Sequence, residues 1–173
     1  MDLKERALKV RLLVLDVDGV LTDGRLNYTS RGEEIKVFNV KDGFGIKMAQ
    51  MAGIRVGVIS GRKSKALRKR LEELGIEEAH LGFNEKLPVL EDMLRRLSID
   101  LEHVAFIGDD YVDLPILKRV GFPMVVCDAP EEIKAHALYT TKAKGGEGAV
   151  REAIEFLLKL RGQWEEIISK YHA

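Results

Sequence analysis

Asp16 and Asp18, two residues apart in Asp16-Val17-Asp18-Gly19, follow directly on the run Val10 to Leu15, which is apolar except for Arg11. A β-branched, leucine-rich run of this kind is the pattern of a strand buried on both faces. In an open α/β sheet, ligands bind at the carboxyl ends of the strands. Both acids therefore belong in the crevice where chemistry is expected. Like charges this close resist ionising together. A hard divalent cation such as Mg²⁺, which commonly accompanies phosphate, would relieve them. Two further strand ends carry polar groups. Ser60-Gly61-Arg62 follows Ile54–Ile59, and Gly108-Asp109-Asp110, with Asp113 just beyond, follows His103–Ile107. Lys86 opens the helix expected between them.

These residue types can carry out metal-dependent phosphoryl transfer. A carboxylate that attacks phosphorus splits one hard displacement into two easier ones. A second carboxylate can protonate the leaving alcohol and later deprotonate water. A metal and a lysine neutralise the phosphate so that an anionic nucleophile can approach. The Ser60 hydroxyl and nearby backbone amides can hold the remaining phosphate oxygens, and the acids at 109 and 110 complete a metal site. Each piece also has a plainer reading. Asp-x-Asp-Gly alone is a turn or helix cap, Ser60-Gly61-Arg62 a helix N-cap, Lys86 a solvated surface lysine, and Asp113 a group that orients a partner or caps a helix. The pieces gain weight by occurring in order, each at or beside a strand end.

The elements that must position them alternate. Strands are expected at Val10–Leu15, Ile54–Ile59, Glu78–Leu81, His103–Ile107, Phe122–Cys127 and Leu138–Thr141. Helices are expected at Gly45–Ala52 (with Asp42 as N-cap), Ser64–Leu74, Glu85–Leu97, Tyr111–Val120, Pro130–Ala137 and Ala149–Leu160, with a tail helix at Trp164–Tyr171. That alternation predicts an α/β fold with a doubly wound parallel sheet. Between the first strand and its helix, the β-like runs Arg25–Tyr28 and Glu34–Val40 flank Thr29-Ser30-Arg31-Gly32, which predicts an inserted β-hairpin. No linker or repeat divides the 173 residues, so a single domain over 1–173 is expected. Lys+Arg and Asp+Glu balance at 28 each, which argues against non-specific nucleic-acid or membrane binding. The lone Cys127 excludes an internal disulfide, and MDLKERALKV lacks the apolar stretch of a signal peptide; a cytoplasmic location is expected.

With these residues in place, the chain resembles the haloacid dehalogenase superfamily of phosphatases. Asp16-Val17-Asp18-Gly19 is similar to its first motif, Ser60 to the second, Lys86 to the third, and Gly108-Asp109-Asp110 with Asp113 to the fourth. The resemblance implies that Asp16 is the nucleophile and Asp18 the general acid/base, and that Ser60, Gly61, Arg62, Lys86 and Gly43 bind phosphate or substrate. It further implies Mg²⁺ held by Asp16, Asp109 and the backbone carbonyl of Asp18, supported by Asp110 and Asp113. Ser60 follows Asp18 by 42 residues and Lys86 follows Ser60 by 26, too few at either place for a cap domain.

Three further stretches resemble the 3-deoxy-D-manno-octulosonate 8-phosphate phosphatases in particular: Asp16 to Gly24, Phe38-Asn39-Val40-Lys41-Asp42-Gly43, and Gly145-Gly146-Glu147-Gly148-Ala149-Val150-Arg151-Glu152. Lys41 stands where an Arg is expected. By that resemblance the chain is a phosphatase of a phosphorylated keto-sugar acid serving lipopolysaccharide synthesis. It would be a homotetramer assembled through its hairpins, with Gly145–Gly148 and the tail helping to select substrate. Phosphatases of nine-carbon keto-sugar acid 9-phosphates are related and remain an alternative. A phospho-accepting receiver domain uses similar groups, but its phosphorylated Asp stands alone on a middle strand, and none lies between Asp18 and Ser60. A non-catalytic oligomerisation domain is the other alternative, and the intact set of Asp16, Asp18, Lys86 and Asp109 argues against it.

Overall fold

The computed structural model describes residues 2–172. Its centre is β1 (Leu12–Leu15), whose four side chains are all buried. The strand pairs in parallel with β4 (Arg55–Ser60) on one side and β6 (Val104–Gly108) on the other, with Leu15 opposite both Val58 and Ile107. Outward from β4 lies β5 (Glu78–Leu81); outward from β6 lie β7 (Phe122–Val125) and β8 (Tyr139–Thr140). The six strands run in the order β5-β4-β1-β6-β7-β8, all parallel. The winding therefore reverses beside β1, which is where such sheets open a crevice at their carboxyl ends.

The right-handed crossovers that parallel strands favour would put α2 (Val40–Met51) and α3 (Lys65–Leu74) on one face, and α4 (Lys86–Leu97), α5 (Leu114–Leu117) and α6 (Glu131–Lys134) on the other; α2 meets α3, and α4 meets α5. The long α7 (Ala149–Leu160) packs against α2, with α1 (Leu3–Lys9) and α8 (Trp164–Ser169) beside it. Local chemistry sets several ends. Ser64 caps α3 by accepting from the Leu67 amide at 3.2 Å, and Gly75 closes it with φ 67°. The helix expected over Tyr111–Val120 is instead a 3₁₀ turn (Tyr111–Asp113) followed by the one-turn α5; Pro115, lacking an N–H, sits at its start.

The start of α2 differs from the sequence expectation. Asn39, not Asp42, is its N-cap, accepting from the Lys41 amide at 2.8 Å, so the helix begins five residues before Gly45. The glycines inside it serve close packing. A Cβ on Gly45 would lie 3.0 Å from the Arg151 Cα of α7. Asp42 is freed from its own helix and caps another: its Oδ1 accepts from the Arg151 amide at 2.9 Å, and the side chain is buried at the start of α7. A carboxylate suits a helix N-terminus, but burial outweighs the bonds from the α7 amides and pushes the Asp42 carboxyl above its ordinary value.

The segment between β1 and α2 holds two short antiparallel strands, β2 (Asn27–Tyr28) and β3 (Glu34–Ile35), around a turn in which the Thr29 amide donates to the Glu33 carbonyl at 2.9 Å. Only two residues pair on each arm, fewer than the runs expected over 25–28 and 34–40. A pairing this short is not stable in water alone.

Candidate active site

The carboxyl end of β1 delivers Asp16, 5% exposed, with its amide donating to the Ile107 carbonyl at 3.0 Å. Immediately after it the backbone winds tightly: the amides of Val20, Leu21 and Thr22 all donate to the Val17 carbonyl at 2.9–3.1 Å. Gly19 turns with φ 94°, and a Cβ there would fall 2.0 Å from Asp109 Oδ2, so only glycine lets the two loops approach. A second glycine segment locks this turn from outside. The Gly146 amide donates to the Val20 carbonyl at 3.0 Å, and Gly145 packs so closely on the Gly19 carbonyl that a Cβ would collide with it. The 145–148 segment, expected to help select substrate, is thus seated against the backbone of the turn that carries Asp18.

The end of β6 and the turn after it bring Asp109 and Asp113 to Asp16. Carboxylate oxygens of the three lie within 4.8 Å of one another. Lys86, at the first position of α4, reaches between them: its Nζ donates to Asp16 Oδ1 at 2.5 Å and to Asp113 Oδ1 at 2.7 Å. Asp113 is fully buried, and its other oxygen accepts from the Asp109 amide at 3.0 Å. Both its oxygens are therefore occupied, whereas Asp16 and Asp109 keep free ones. Burial, then the Asp113 charge, pushes the Asp16 carboxyl up to about 6 against the opposing pull of Lys86. Burial, then Asp16 and Asp113, pushes Asp109 up to about 9. Burial alone would lower the Lys86 ammonium, but Asp16 and Asp113 outweigh it and hold it above its ordinary value.

Three carboxylates facing one ammonium leave the cluster short of positive charge. Free hard oxygens beside that deficit fit a divalent cation such as Mg²⁺ better than a soft metal. Asp16 and Asp109 can supply its carboxylate ligands. Asp113 holds Lys86 and the Asp109 loop in place.

Asp16, Asp18, Gly61, Arg62, Lys86, Asp109 and Asp110 all line one cleft of about 270 Å³. Ser60 is fully buried at the end of β4, its hydroxyl accepting from the Arg62 amide at 3.3 Å. Asp110 is exposed and caps the following turn through the Tyr111 amide at 2.7 Å. Gly43 does not line the cleft; it lies in α2 against the Arg70 guanidinium. Sequence reasoning missed Asn84 and Val112 on the cleft wall. Asn84 sits just past β5, so the strand-end rule that found the other residues applies to it too. Also missed were Glu34 and Lys36 of the hairpin segment, which meet Asp18 and Arg62. A larger groove of about 510 Å³ opens beside Arg55 and Glu78, at the opposite end of β4, without a comparable acidic cluster among the described residues.

Comparison with known proteins agrees with this geometry. A family profile described as haloacid dehalogenase-like hydrolase matches residues 83–154. A 3-deoxy-D-manno-octulosonate 8-phosphate phosphatase of Escherichia coli is 43% identical over 165 residues, covering 95% of this chain and 88% of that protein. A crystal structure of a probable YrbI family phosphatase from Pseudomonas syringae superposes with a TM-score of 0.95 at 45% identity, covering 98% of this chain and 97% of its own. The 3-deoxy-D-manno-octulosonate 8-phosphate phosphatase of Moraxella catarrhalis, solved with magnesium, phosphate and the sugar acid, superposes with a TM-score of 0.95 at 37% identity, covering 98% and 97%. On its motifs, its sheet and this extent of identity, the chain belongs to the 3-deoxy-D-manno-octulosonate 8-phosphate phosphatase family of haloacid dehalogenase-like hydrolases.

Proposed function

We propose that this chain is a Mg²⁺-dependent phosphatase that hydrolyses 3-deoxy-D-manno-octulosonate 8-phosphate to the free sugar acid, a lipopolysaccharide precursor, and phosphate. The observation that carries the reading is the convergence of Asp16, Asp109 and Asp113 on Lys86 at the crevice of the sheet. It is supported by relatives of the same named activity along nearly the whole chain.

Asp16 acts as the nucleophile. Its carboxylate oxygen bonds to phosphorus as the bond from phosphorus to the sugar oxygen breaks, and Asp18 gives that oxygen its proton. Asp18 then takes a proton from water as the water attacks the phosphoryl-Asp16, which releases phosphate and restores both acids. Lys86, the Ser60 hydroxyl and the backbone about Gly61 hold the phosphoryl oxygens, and Arg62 flanks the leaving group. Asp16 and Asp109, with the Asp18 carbonyl, would hold Mg²⁺, which would supply positive charge to the phosphate and the crowded carboxylates. Asp110 and Asp113 support the loop that presents Asp109.

The same proposal takes residues 1–173 as one catalytic domain acting in the cytoplasm as a homotetramer. The hairpin segment supports the assembly: Leu26, Tyr28, Ile35 and Val37 are each about half exposed or more, and short strand edges readily pair with other chains. Lone Cys127 suits a reducing compartment. No helix among the described residues is long and apolar enough to cross a membrane.

Three outcomes are expected. In a side-by-side phosphate-release assay, kcat/KM for the eight-carbon sugar-acid phosphate exceeds that for a nine-carbon keto-sugar acid 9-phosphate and for simple phosphoesters; equal values would defeat the substrate assignment. Sedimentation of the wild-type chain gives the mass of a tetramer, and of Val37→Asp a smaller species; a wild-type monomer would contradict the assembly. The third concerns charge. A carboxyl whose pKa is raised on folding binds its proton more tightly in the native state, so between about 4 and 9 Asp109 makes the metal-free protein less stable as pH rises. Asp109→Asn removes that charge. Without metal at pH 8 it melts higher than wild type, and it loses the rise in Tm that Mg²⁺ gives the wild type. A lower melting point for the metal-free variant would refute the repulsion described.

A further inference from the structure

Lys36 lies just past β3, between two residues open to solvent: Ile35 and Val37 are 49% and 67% exposed. Its own side chain is 3% exposed. A lysine is seldom buried unless it is paired, and here the pairing reaches the catalytic turn. The ammonium donates to Asp18 Oδ1 and lies 3.4 Å from Glu34 Oε1. Glu34 in turn meets Arg62 Nη2 at 3.2 Å, and the same nitrogen donates to the Tyr28 hydroxyl at 3.0 Å. Arg62 Nε stands 4.0 Å from Asp18 Oδ2, beyond hydrogen-bond reach. Asp18 lines the cleft, and its two oxygens are inequivalent: Oδ1 is tied to the hairpin segment through Lys36, and Oδ2 accepts no hydrogen bond among the described residues.

We infer that Lys36 is a positioning residue for Asp18, fixing Oδ1 so that Oδ2 is the oxygen that exchanges protons with the leaving group and with water. This rests on Asp18 being the acid/base of the proposed reaction. In the first step the proton on Oδ2 passes to the ester oxygen, whose bond to phosphorus breaks as the bond from Asp16 forms. In the second step Oδ2 takes one proton from the attacking water, as the bond between phosphorus and Asp16 breaks. Oδ1 stays on Lys36 throughout. The two-residue pairing of β2 with β3 cannot hold the segment in place unaided. The chain from Tyr28 through Arg62 and Glu34 to Lys36 fastens it to the same turn, so its placement and the aim of the proton shuttle are set together.

Leaving-group dependence separates positioning from mere support. Phenyl phosphate expels phenoxide, a poor leaving group that needs a proton; 2,4-dinitrophenyl phosphate expels 2,4-dinitrophenoxide, a good one that does not. Neither carries the sugar, so lost sugar contacts play no part. Lys36→Met lowers kcat/KM for phenyl phosphate about 10-fold or more, a fraction of the 10²–10⁴ typical of a positioned acid, and leaves the dinitrophenyl ester within about 2-fold. Lys36→Arg restores most of the loss, and Asp18→Asn shows the same selectivity more strongly. A loss shared equally by the two esters in Lys36→Met, or no loss on either, overturns the inference while a selective Asp18→Asn leaves the acid/base reading intact. An unselective Asp18→Asn overturns both. Should Lys36→Met fail to fold, the same comparison is made on Lys36→Gln and Glu34→Gln, the second of which frees Lys36 from its other partner.

Discussion

Three carboxylates gathered on a single buried ammonium are an unstable arrangement of charge, and much of the molecule is built to hold it. Asp16, Asp109 and Asp113 would separate in water; burial and their mutual field push Asp16 and Asp109 well above the ordinary carboxylate range. They stay together because each is fixed to a rigid element. Asp16 follows the fully buried β1, Asp109 follows its neighbour β6, and Lys86 starts a helix with a well-packed apolar face. The reversal of winding beside β1 brings these ends into one crevice. The charge deficit is then the feature that recruits a divalent cation and a phosphate.

The turn carrying Asp18 is held from two sides by different physics. On one side glycines permit backbone to lie against backbone, with Gly145 and Gly146 pressed on Gly19, Val20 and Thr22. On the other, ion pairs from Lys36 and Arg62 close over the carboxylate. The first clamp is short-ranged and steric; the second is electrostatic and depends on where the hairpin segment lies. Asp42 ties the first clamp to the fold by capping α7 immediately after the glycines.

Much of this was legible in the sequence because it rests on local patterns. Apolar runs such as Val10–Leu15 and His103–Ile107 read as buried strands, and polar groups at their ends marked the crevice. What could not be read depends on contacts between distant residues. Asp42 looked like the cap of its own helix, yet its partner is the Arg151 amide, 109 residues on. Gly43, read as a substrate-binding glycine, lies in α2 beside the Arg70 guanidinium, a contact its motif does not show. Lys36 sits in an alternating, mostly exposed segment where a lysine reads as solvated; nothing in its spacing shows that the segment folds back onto Asp18. Asn84 was within reach, since it stands at a strand end like the residues that were found.

The central claim is that Asp16 carries the phosphoryl group during turnover. A single turnover of 3-deoxy-D-manno-octulosonate 8-phosphate, quenched in acid within milliseconds and mapped by peptide mass spectrometry, reads it directly. Asp18→Asn makes the most favourable sample, since slow dephosphorylation lets the intermediate accumulate. The account predicts a phosphoryl group on Asp16 in the peptide spanning the end of β1, and none in Asp16→Asn. Turnover with no phosphorylated peptide in either wild type or Asp18→Asn, or a phosphoryl group on another residue, would contradict it.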